Sequence, residues 1–305
     1  MKILVTGGAG FIGSNLADAL IEQGHQVCIV DNLSTGVKEH INSKAKFYEL
    51  DISDAKLAEV FVAEKPEAVF HLAAQIDVRK SVADPVGDAQ VNILGSLNLL
   101  ENCKNFGVKK FIFSSTGGAI YGEAAIIPTP ESYAEKPISP YGIAKLAIEK
   151  YLHYYQVVFG LPYVVLRYGN VYGPRQNSHG EAGVVAIFCD KLLAGQQPII
   201  NGEGKQTRDY VYVGDVVAAN LAALQSEQVD IYNVGTGQET DVNKIAAEIK
   251  KNLGSDIEFT HGPAKPGEQQ RSCLDYSKIS QALGWRPQVA LAAGLAATTA
   301  WFKQK

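Results

Sequence analysis

The chain has 305 residues, 46% hydrophobic and 20% charged, enough apolar material for one large core or for two domains sharing a cleft. Its 28 Lys and Arg against 32 Asp and Glu leave a formal charge of −4, so no basic excess draws it to nucleic acid or anionic lipid, and neither is expected as a partner. No apolar run approaches the ~18 residues of a membrane span, and glycines break the apolar start at residues 3–5, which points to a cytoplasmic chain without a signal peptide. Cys28, Cys103, Cys189 and Cys273 stand far apart without a CxxC pair or clustered histidines, so neither a disulfide framework nor a metal site is expected.

Along the first half, short β-branched runs at residues 2–6, 26–30, 46–49, 68–72, 110–115 and 163–167 read as strands. Amphipathic segments at 11–23, 55–65, 88–106 and 141–159 alternate with them, each long enough to cross back over a sheet. That rhythm predicts an α/β chain with a doubly wound parallel sheet and ligands at the carboxyl ends of its strands. Beyond residue 167 the alternation gives way to loops rich in Gly, Pro and Gln at 172–183 and 195–206, which suggest a smaller C-terminal domain capping the cleft. Residues 209–224 and 230–234 again read as strand and helix and are expected to return to the main sheet. The expected division is therefore 1–170, with a return near 209–235, against 171–208 and 236–305.

Residues 6–13, Thr-Gly-Gly-Ala-Gly-Phe-Ile-Gly, follow the first strand and open the first helix, the context that makes a glycine cluster a dinucleotide fingerprint. Glycines there permit a tight turn and let a pyrophosphate approach the helix N-terminus. Two registers fit, Gly7, Gly10 and Gly13 at spacing three, or Gly8, Gly10 and Gly13 as GxGxxG. Asp31 ends the second strand ~20 residues downstream, where an acidic side chain bonds the adenosine ribose and repels an extra phosphate. With Asn32 rather than Arg next, NAD is favoured over NADP. Asp51, ending the third strand, either faces the adenine or caps the helix that begins near Ala55.

Of the fourteen tyrosines, only Tyr141 has a lysine four residues later. Positions i and i+4 share a helix face, so the Lys145 ammonium and a helix start at Pro140 are expected to favour the ionised phenol. Ser114, Ser115 and Thr116 end the fifth strand, where a hydroxyl can relay a substrate proton to the tyrosine.

The segments TGGAGFIG at 6–13, HLAAQ at 71–75, FIFSST at 111–116, YGIAK at 141–145 and RYGNVYGPR at 167–175 occur in order, with Asp31 among them. Together they resemble the extended short-chain dehydrogenase/reductase family, and within it the UDP-glucose 4-epimerases, over essentially the whole chain. The resemblance implies a Rossmann-type fold, a tightly held NAD and a sugar oxidised and re-reduced at C4 through a 4-keto intermediate, with Tyr141 as the proton carrier and Lys145 on the nicotinamide ribose. Thr116 or Ser115 would complete the proton path; the segment is one residue longer than the family's commonest form, so the two remain alternatives.

By the same resemblance, Gly7, Gly10, Phe11, Ile12 and Gly13 would hold the pyrophosphate, Asp31 and Asn32 the adenosine ribose, and Asp51 and Ile52 the adenine. Leu72, Ala73, Ala74 and Gln75 would line the cofactor, with Asn92 and Ser114 nearby and Tyr168 beside the nicotinamide; Ile76 stands where several relatives place a lysine. The UDP-sugar would meet Thr116, Tyr141, Asn170, Arg208 and, in a Lys-Pro-Gly-Glu segment replacing an RPGD-like motif, Lys265 and Glu268, with Ile199 and Asn201 flanking the uracil. Ser272 occupies a position where a small residue leaves room for a 2-N-acetyl group. The resemblance further implies a homodimer joined by paired helices, consistent with apolar residues on more than one face of 88–106 and 141–159. Two rival readings are another nucleotide-sugar epimerase or dehydratase, such as a UDP-glucuronate 4-epimerase, and a non-catalytic NAD-binding protein.

Overall fold

The computed structural model describes residues 1–178, 183–264 and 269–305. Its first half alternates β1 (Lys2–Thr6), α1 (Phe11–Glu22), β2 (Gln26–Asp31), β3 (Lys46–Glu49), α2 (Leu57–Glu64) and β4 (Ala68–His71). There follow α3 (Val78–Ala83), α4 (Pro85–Ala89), a π-helical turn (Gln90–Gly95), α5 (Ser96–Asn105), β5 (Lys110–Thr116), α6 (Gly117–Ile120), α7 (Pro140–Phe159) and β6 (Tyr163–Tyr168). The second half holds β7 (Asn170–Tyr172), α8 (Val184–Leu193), β8 (Ile199–Asn201), β9 (Thr207–Tyr212), α9 (Val213–Gln225) and β10 (Asp230–Val234). It closes with β11 (Glu239–Asp241), α10 (Val242–Leu253), β12 (Thr260–Gly262), α11 (Ser277–Leu283) and α12 (Leu291–Gln304).

Seven parallel strands form the central sheet in the order β10-β6-β5-β4-β1-β2-β3. The strand order reverses between β1 and β4, and a crevice opens there at the carboxyl ends. Because both faces are covered, the strands are almost continuously buried, as in β6 from Tyr163 to Tyr168. One face packs Leu16 and Leu20 of α1 and Val216 and Ala219 of α9; the other packs Phe61 of α2, Leu99 of α5, and Ile148 and Leu152 of α7. A separate apolar cluster joins Phe188 of α8, Ile245 and Ile249 of α10, and Leu295 and Phe302 of α12 beside the three-stranded sheet β11-β9-β7.

Two expectations need correction. The segment 88–106 lies in one unbroken helical run but not one of constant pitch: α4 passes at Ala89 into the π-helical turn, which rephases the chain before α5. That turn carries Asn92 inward, where it bonds both the N–H and the C=O of Gln75, a use of an i→i+5 turn that helical periodicity does not reveal. Within 209–224, helix α9 does pack on the main sheet, but strand β9 joins β7 and β11. Short β8 lies inside the segment read as a loop, because its partner β12 is some sixty residues away and leaves no local pattern.

Helix α7 starts where the sequence marks it. Ser139 accepts the Gly142 N–H at 3.2 Å, Pro140 sits in the first turn, and Gly160 ends the helix at φ 71°. Four residues beyond Lys145, Glu149 is 1% exposed and meets the 1% exposed Arg167 of β6 at 2.5 and 3.0 Å. Arg167 also bonds Glu135 and the Tyr121 hydroxyl, and Ser115 donates to Glu149 at 2.6 Å. The network runs on through Tyr121 to Asn233 and through Glu135 to Lys150, but Glu149 is the fully buried anion on Arg167, so removing it leaves the guanidinium with only the partly exposed Glu135. Glu149→Ala is therefore expected to cost about 3–5 kcal/mol in denaturant unfolding; a loss under about 1 kcal/mol would mean the guanidinium finds water or another anion.

Candidate active site

At the crevice, Gly7 adopts φ 70°, and a Cβ there would lie 2.7 Å from the Ala73 nitrogen. A Cβ on Gly13 would lie 2.1 Å from the Gly7 carbonyl oxygen. These are backbone contacts that cannot yield, whereas Gly8 faces only the Ile29 side chain, so the close packing of the turn favours the Gly7, Gly10, Gly13 register. Gly10 precedes α1 without any side-chain cap, which leaves the first-turn amides at Phe11, Ile12 and Gly13 for an anion.

Asp31 accepts the N–H groups of Ala9 and Leu33, each at 2.9 Å, and so fastens the end of β2 to the glycine turn. Burial pushes its carboxyl above the ordinary value against those two bonds. Asn32 donates to Asp51 at 2.7 Å, and Asp51 also accepts the Ser53 N–H and hydroxyl. Burial alone would raise Asp51, but these bonds outweigh it and hold the carboxyl below its usual range. Asp51 does not cap the following helix, which begins at Leu57. The Ile52 side chain is turned into the core against Gly95. Leu72, Ala73, Ala74 and Gln75 line the other side of the crevice, half-buried, but the Gln75 amide is already bonded to Asp77 and Asp88.

Sequence reasoning missed a hydrogen-bonded chain under this wall. Ser96 donates to the Asn92 carbonyl at 2.7 Å, so its oxygen accepts from His71 Nε2 at 2.8 Å. His71 Nδ1 then accepts the Thr6 hydroxyl at 2.8 Å, and Thr6 Oγ1 accepts the Ala73 N–H. Burial, with Lys145 nearby, holds His71 neutral by lowering its pKa to about 3. His71 stands between Phe70 and Leu72, and its hydroxyl partners Thr6 and Ser96 lie 65 and 25 residues away, so the chain carries no local signal of this link.

Across the sheet, α7 brings Lys145 to the end of β5, with Tyr141 one turn before it on the same helix. Lys145 Nζ donates to the Ser114 carbonyl at 2.8 Å and lies 4.8 Å over the Phe113 ring and 5.9 Å over the Tyr141 ring. Gly142 lets this turn approach α6, since a Cβ would sit 2.7 Å from the Ala119 oxygen. The phenol is not driven toward ionisation as expected: burial raises Tyr141 above its ordinary value and the Asp88 carboxylate adds to it. The ammonium is turned to Ser114, and burial lowers Lys145 itself to about 8. Thr116 Oγ1 accepts the Ala119 N–H at 3.2 Å, which leaves its proton to donate, while the Ser115 proton is committed to Glu149. Tyr168, opposite Thr116 in the register, is buried with its hydroxyl on Asn220.

The remaining candidates collect on the small sheets. Asn170 on β7 is paired with Tyr210 of β9, the strand that carries Arg208. A Cβ on Gly118 would lie 3.9 Å from Thr116 Oγ1 and 4.0 Å from Asn170 Oδ1, so this glycine borders the space between them. Ser272, 7% exposed, donates its N–H to the Thr207 carbonyl beside Arg208. Ile199 and Asn201 lie on β8, and Gln206 bonds the Asn201 carbonyl. Lys265 and Glu268 lie outside the described residues. Among the described residues no helix is long and apolar enough to cross a membrane, and no group of three or more His, Cys, Asp and Glu converges as a metal site.

The model of the NAD dependent epimerase/dehydratase family matches residues 3–235. This chain belongs to that family. A UDP-glucose 4-epimerase of Mycolicibacterium smegmatis is 45% identical over 311 residues, covering 100% of this chain and 99% of that protein. The crystal structure of the Thermotoga maritima UDP-glucose 4-epimerase with UDP-glucose superposes with a TM-score of 0.98 at 52% identity, over 100% of this chain and 99% of that one. The Thermus thermophilus UDP-glucose 4-epimerase in complex with NAD gives 0.95 at 44% identity, over 99% of each chain. The family's cofactor is NAD, and the backbone cradle that a Cβ on Gly7 or Gly13 would fill suits its pyrophosphate. Gly13→Ala is expected to lower the NAD retained through purification at least about tenfold, or ~1.4 kcal/mol in affinity, read from ultraviolet absorbance after acid release. Full retention would show that the turn yields to the added methyl group.

Proposed function

We propose that the protein is an NAD-dependent UDP-hexose 4-epimerase, interconverting UDP-glucose and UDP-galactose through a 4-keto sugar. The observation that carries this reading is Lys145 of α7 on the Ser114 carbonyl at the end of β5, 5.9 Å over the Tyr141 ring one turn before it, on a chain matched over its length by UDP-glucose 4-epimerases. Tyr141 would take the proton from the sugar 4-hydroxyl and return it after the ketone has turned its other face. Thr116 would bridge sugar and phenol; the bond from Ser115 to Glu149 favours Thr116 over Ser115. When bound, NAD supplies the reversible two-electron acceptor and a cationic ring that favours the ionised phenol. Lys145, held at the Ser114 carbonyl, would orient the nicotinamide ribose. Asn170 and Arg208 would hold the diphosphate, and Ile199 and Asn201 the uracil. Gly117 and Gly118 follow Thr116 where an elimination or a uronate would call for an acidic group, which favours simple epimerisation.

The reading is tested by proton NMR of the purified enzyme with UDP-glucose, UDP-GlcNAc and UDP-glucuronate in separate tubes and no added cofactor, following each anomeric signal. The C4 epimer should appear with UDP-glucose, and Tyr141→Phe should abolish it while NAD stays bound; near wild-type turnover by that variant would remove Tyr141 from the reaction. Ser272 is small and lies beside Arg208, which favours UDP-GlcNAc and UDP-GalNAc as further substrates. Ser272→Tyr should then depress the N-acetyl activity selectively, and an unchanged ratio of the two activities would count against that pocket.

A homodimer through paired helices is part of the same proposal. Leu94, Tyr151, Tyr154 and Val157 are 58, 39, 46 and 64% exposed on the outer faces of the π-helical turn and α7, while Ile148 and Leu152 fill the core behind them. Tyr154→Arg combined with Val157→Glu should shift sedimentation to the monomer; a native sample that already sediments as a monomer would refute the dimer. A cytoplasmic location suits four buried, free cysteines and a UDP-sugar substrate.

A further inference from the structure

Asp88 has no part in the reaction described above, yet its placement is unusual. It lies on α4, which packs against α7, and is only 3% exposed. Its Oδ1 accepts from Gln75 Nε2 and Asn92 Nδ2, both at 2.9 Å. Its Oδ2 is buried without a hydrogen-bond donor, and among the described residues no cation forms an ion pair with it. Burial pushes the Asp88 carboxyl above its ordinary value against the two amide bonds, and while it is ionised the unpartnered oxygen acts on the ionisable groups that stand near.

Those groups are the reacting pair. Lys145 touches the Ser114 carbonyl and the Phe113 ring of β5 and lies over the Tyr141 ring, and the charged or titratable groups that act on it are Glu149 of its own helix, His71 of β4 and Asp88 of α4, the helix packed against α7. Asp88 in turn feels Asp84 as well as Lys145. Glu149 also favours the ammonium, but its charge is shared with Arg167 and the Ser115 hydroxyl, and His71 is neutral. Asp88 is the one anion around Lys145 whose charge is not already answered by a neighbour among the described residues.

We propose that Asp88 is a positioning residue for the epimerisation: the counter-charge that holds Lys145 as a cation and sets the pH range in which the Tyr141–Lys145 pair works. The inference rests on the reading of Tyr141 as the proton carrier. A negative charge at Asp88 favours the protonated form of both partners, so its removal makes both lose their protons at lower pH. In the holoenzyme, where the bound NAD lowers the phenol below the ammonium, the acid limb of the rate profile reports Tyr141 and the alkaline limb Lys145, and both limbs move the same way.

Asp88→Asn isolates the charge, because an amide oxygen can still accept from Gln75 and Asn92. Initial rates with UDP-glucose across about pH 5.5 to 10 should show the whole bell translated toward acid by about one pH unit, with Asp88→Glu returning it toward the wild-type position. A D88N profile that keeps both limbs in place, or moves them toward alkali, would overturn the proposal whatever its effect on the maximal rate, since a merely structural clamp lowers the rate without moving the limbs. Bound NAD is measured in each variant as a check on folding, and Asp88→Ser provides the same reading if D88N does not fold. Tyr141→Phe is assayed in parallel. A silent Tyr141→Phe with an unshifted D88N defeats the role of Asp88 alone, whereas an active Tyr141→Phe defeats the reading beneath it.

Discussion

Lys145 carries an amine into a position where almost no water reaches it, and an ammonium there is costly unless polar groups replace its hydration. The nearby elements are arranged around that requirement. β5 offers the Ser114 carbonyl and the Phe113 face, and α7 itself supplies Glu149 one further turn along. Glu149 would be equally unstable alone, and it is held by Arg167 from β6 and Ser115 from β5. Arg167 then reaches Tyr121 and Glu135, so the loop between α6 and α7 is fastened to the sheet by the same network. The spacing Tyr141, Lys145, Glu149 is thus a ladder on one helix face, with the chemistry at one end and the anchor at the other.

This explains what could be read in the sequence and what could not. Five of the six strands of the first half are short buried apolar runs, with β3 a half-exposed edge strand, and their character is local; so is the start of α7, announced by Ser139 and Pro140. The glycine turn was legible as well, because a tight backbone approach excludes other residues, although only the contacts of Gly7 and Gly8 separate its two registers. Arg167 and Glu149 carried no such mark. A charged residue in a strand becomes a buried partner only when a helix elsewhere in the chain delivers its counter-ion, and that pairing is a property of topology.

The wall formed by residues 71–96 was harder still. In sequence, Asp88 and Asn92 sit where an amphipathic helix is expected and look like its polar face. The i→i+5 turn between α4 and α5 changes the phase, and both side chains point inward to Gln75. Periodicity assumes a constant turn, so it fails where the helix departs from one. The distinction between Ser115 and Thr116 has a similar origin. Adjacent residues on a strand point to opposite faces, and this alternation sends Ser115 toward Glu149 while Thr116 ends the strand near Asn170 and Gly118.

The smaller sheet is joined to the larger one by a second buried acid. Asp209 of β9 has no exposed surface and accepts from the Thr236 N–H and hydroxyl at 2.7 and 2.6 Å, the Gly237 N–H at 3.2 Å and the Leu274 N–H at 3.1 Å. Those donors follow β10 of the main sheet and the segment holding Ser272, so one carboxylate sets both relative to β9. Its neighbour Arg208 and the nearby Ser272 thereby take positions fixed against the ends of β5 and β6. Burial still raises Asp209 despite the many donors. Protonation would remove the acceptor charge that all four bonds share, and because those bonds span both sheets, it would loosen the distance between the reacting end of the site and the end proposed to bind the diphosphate.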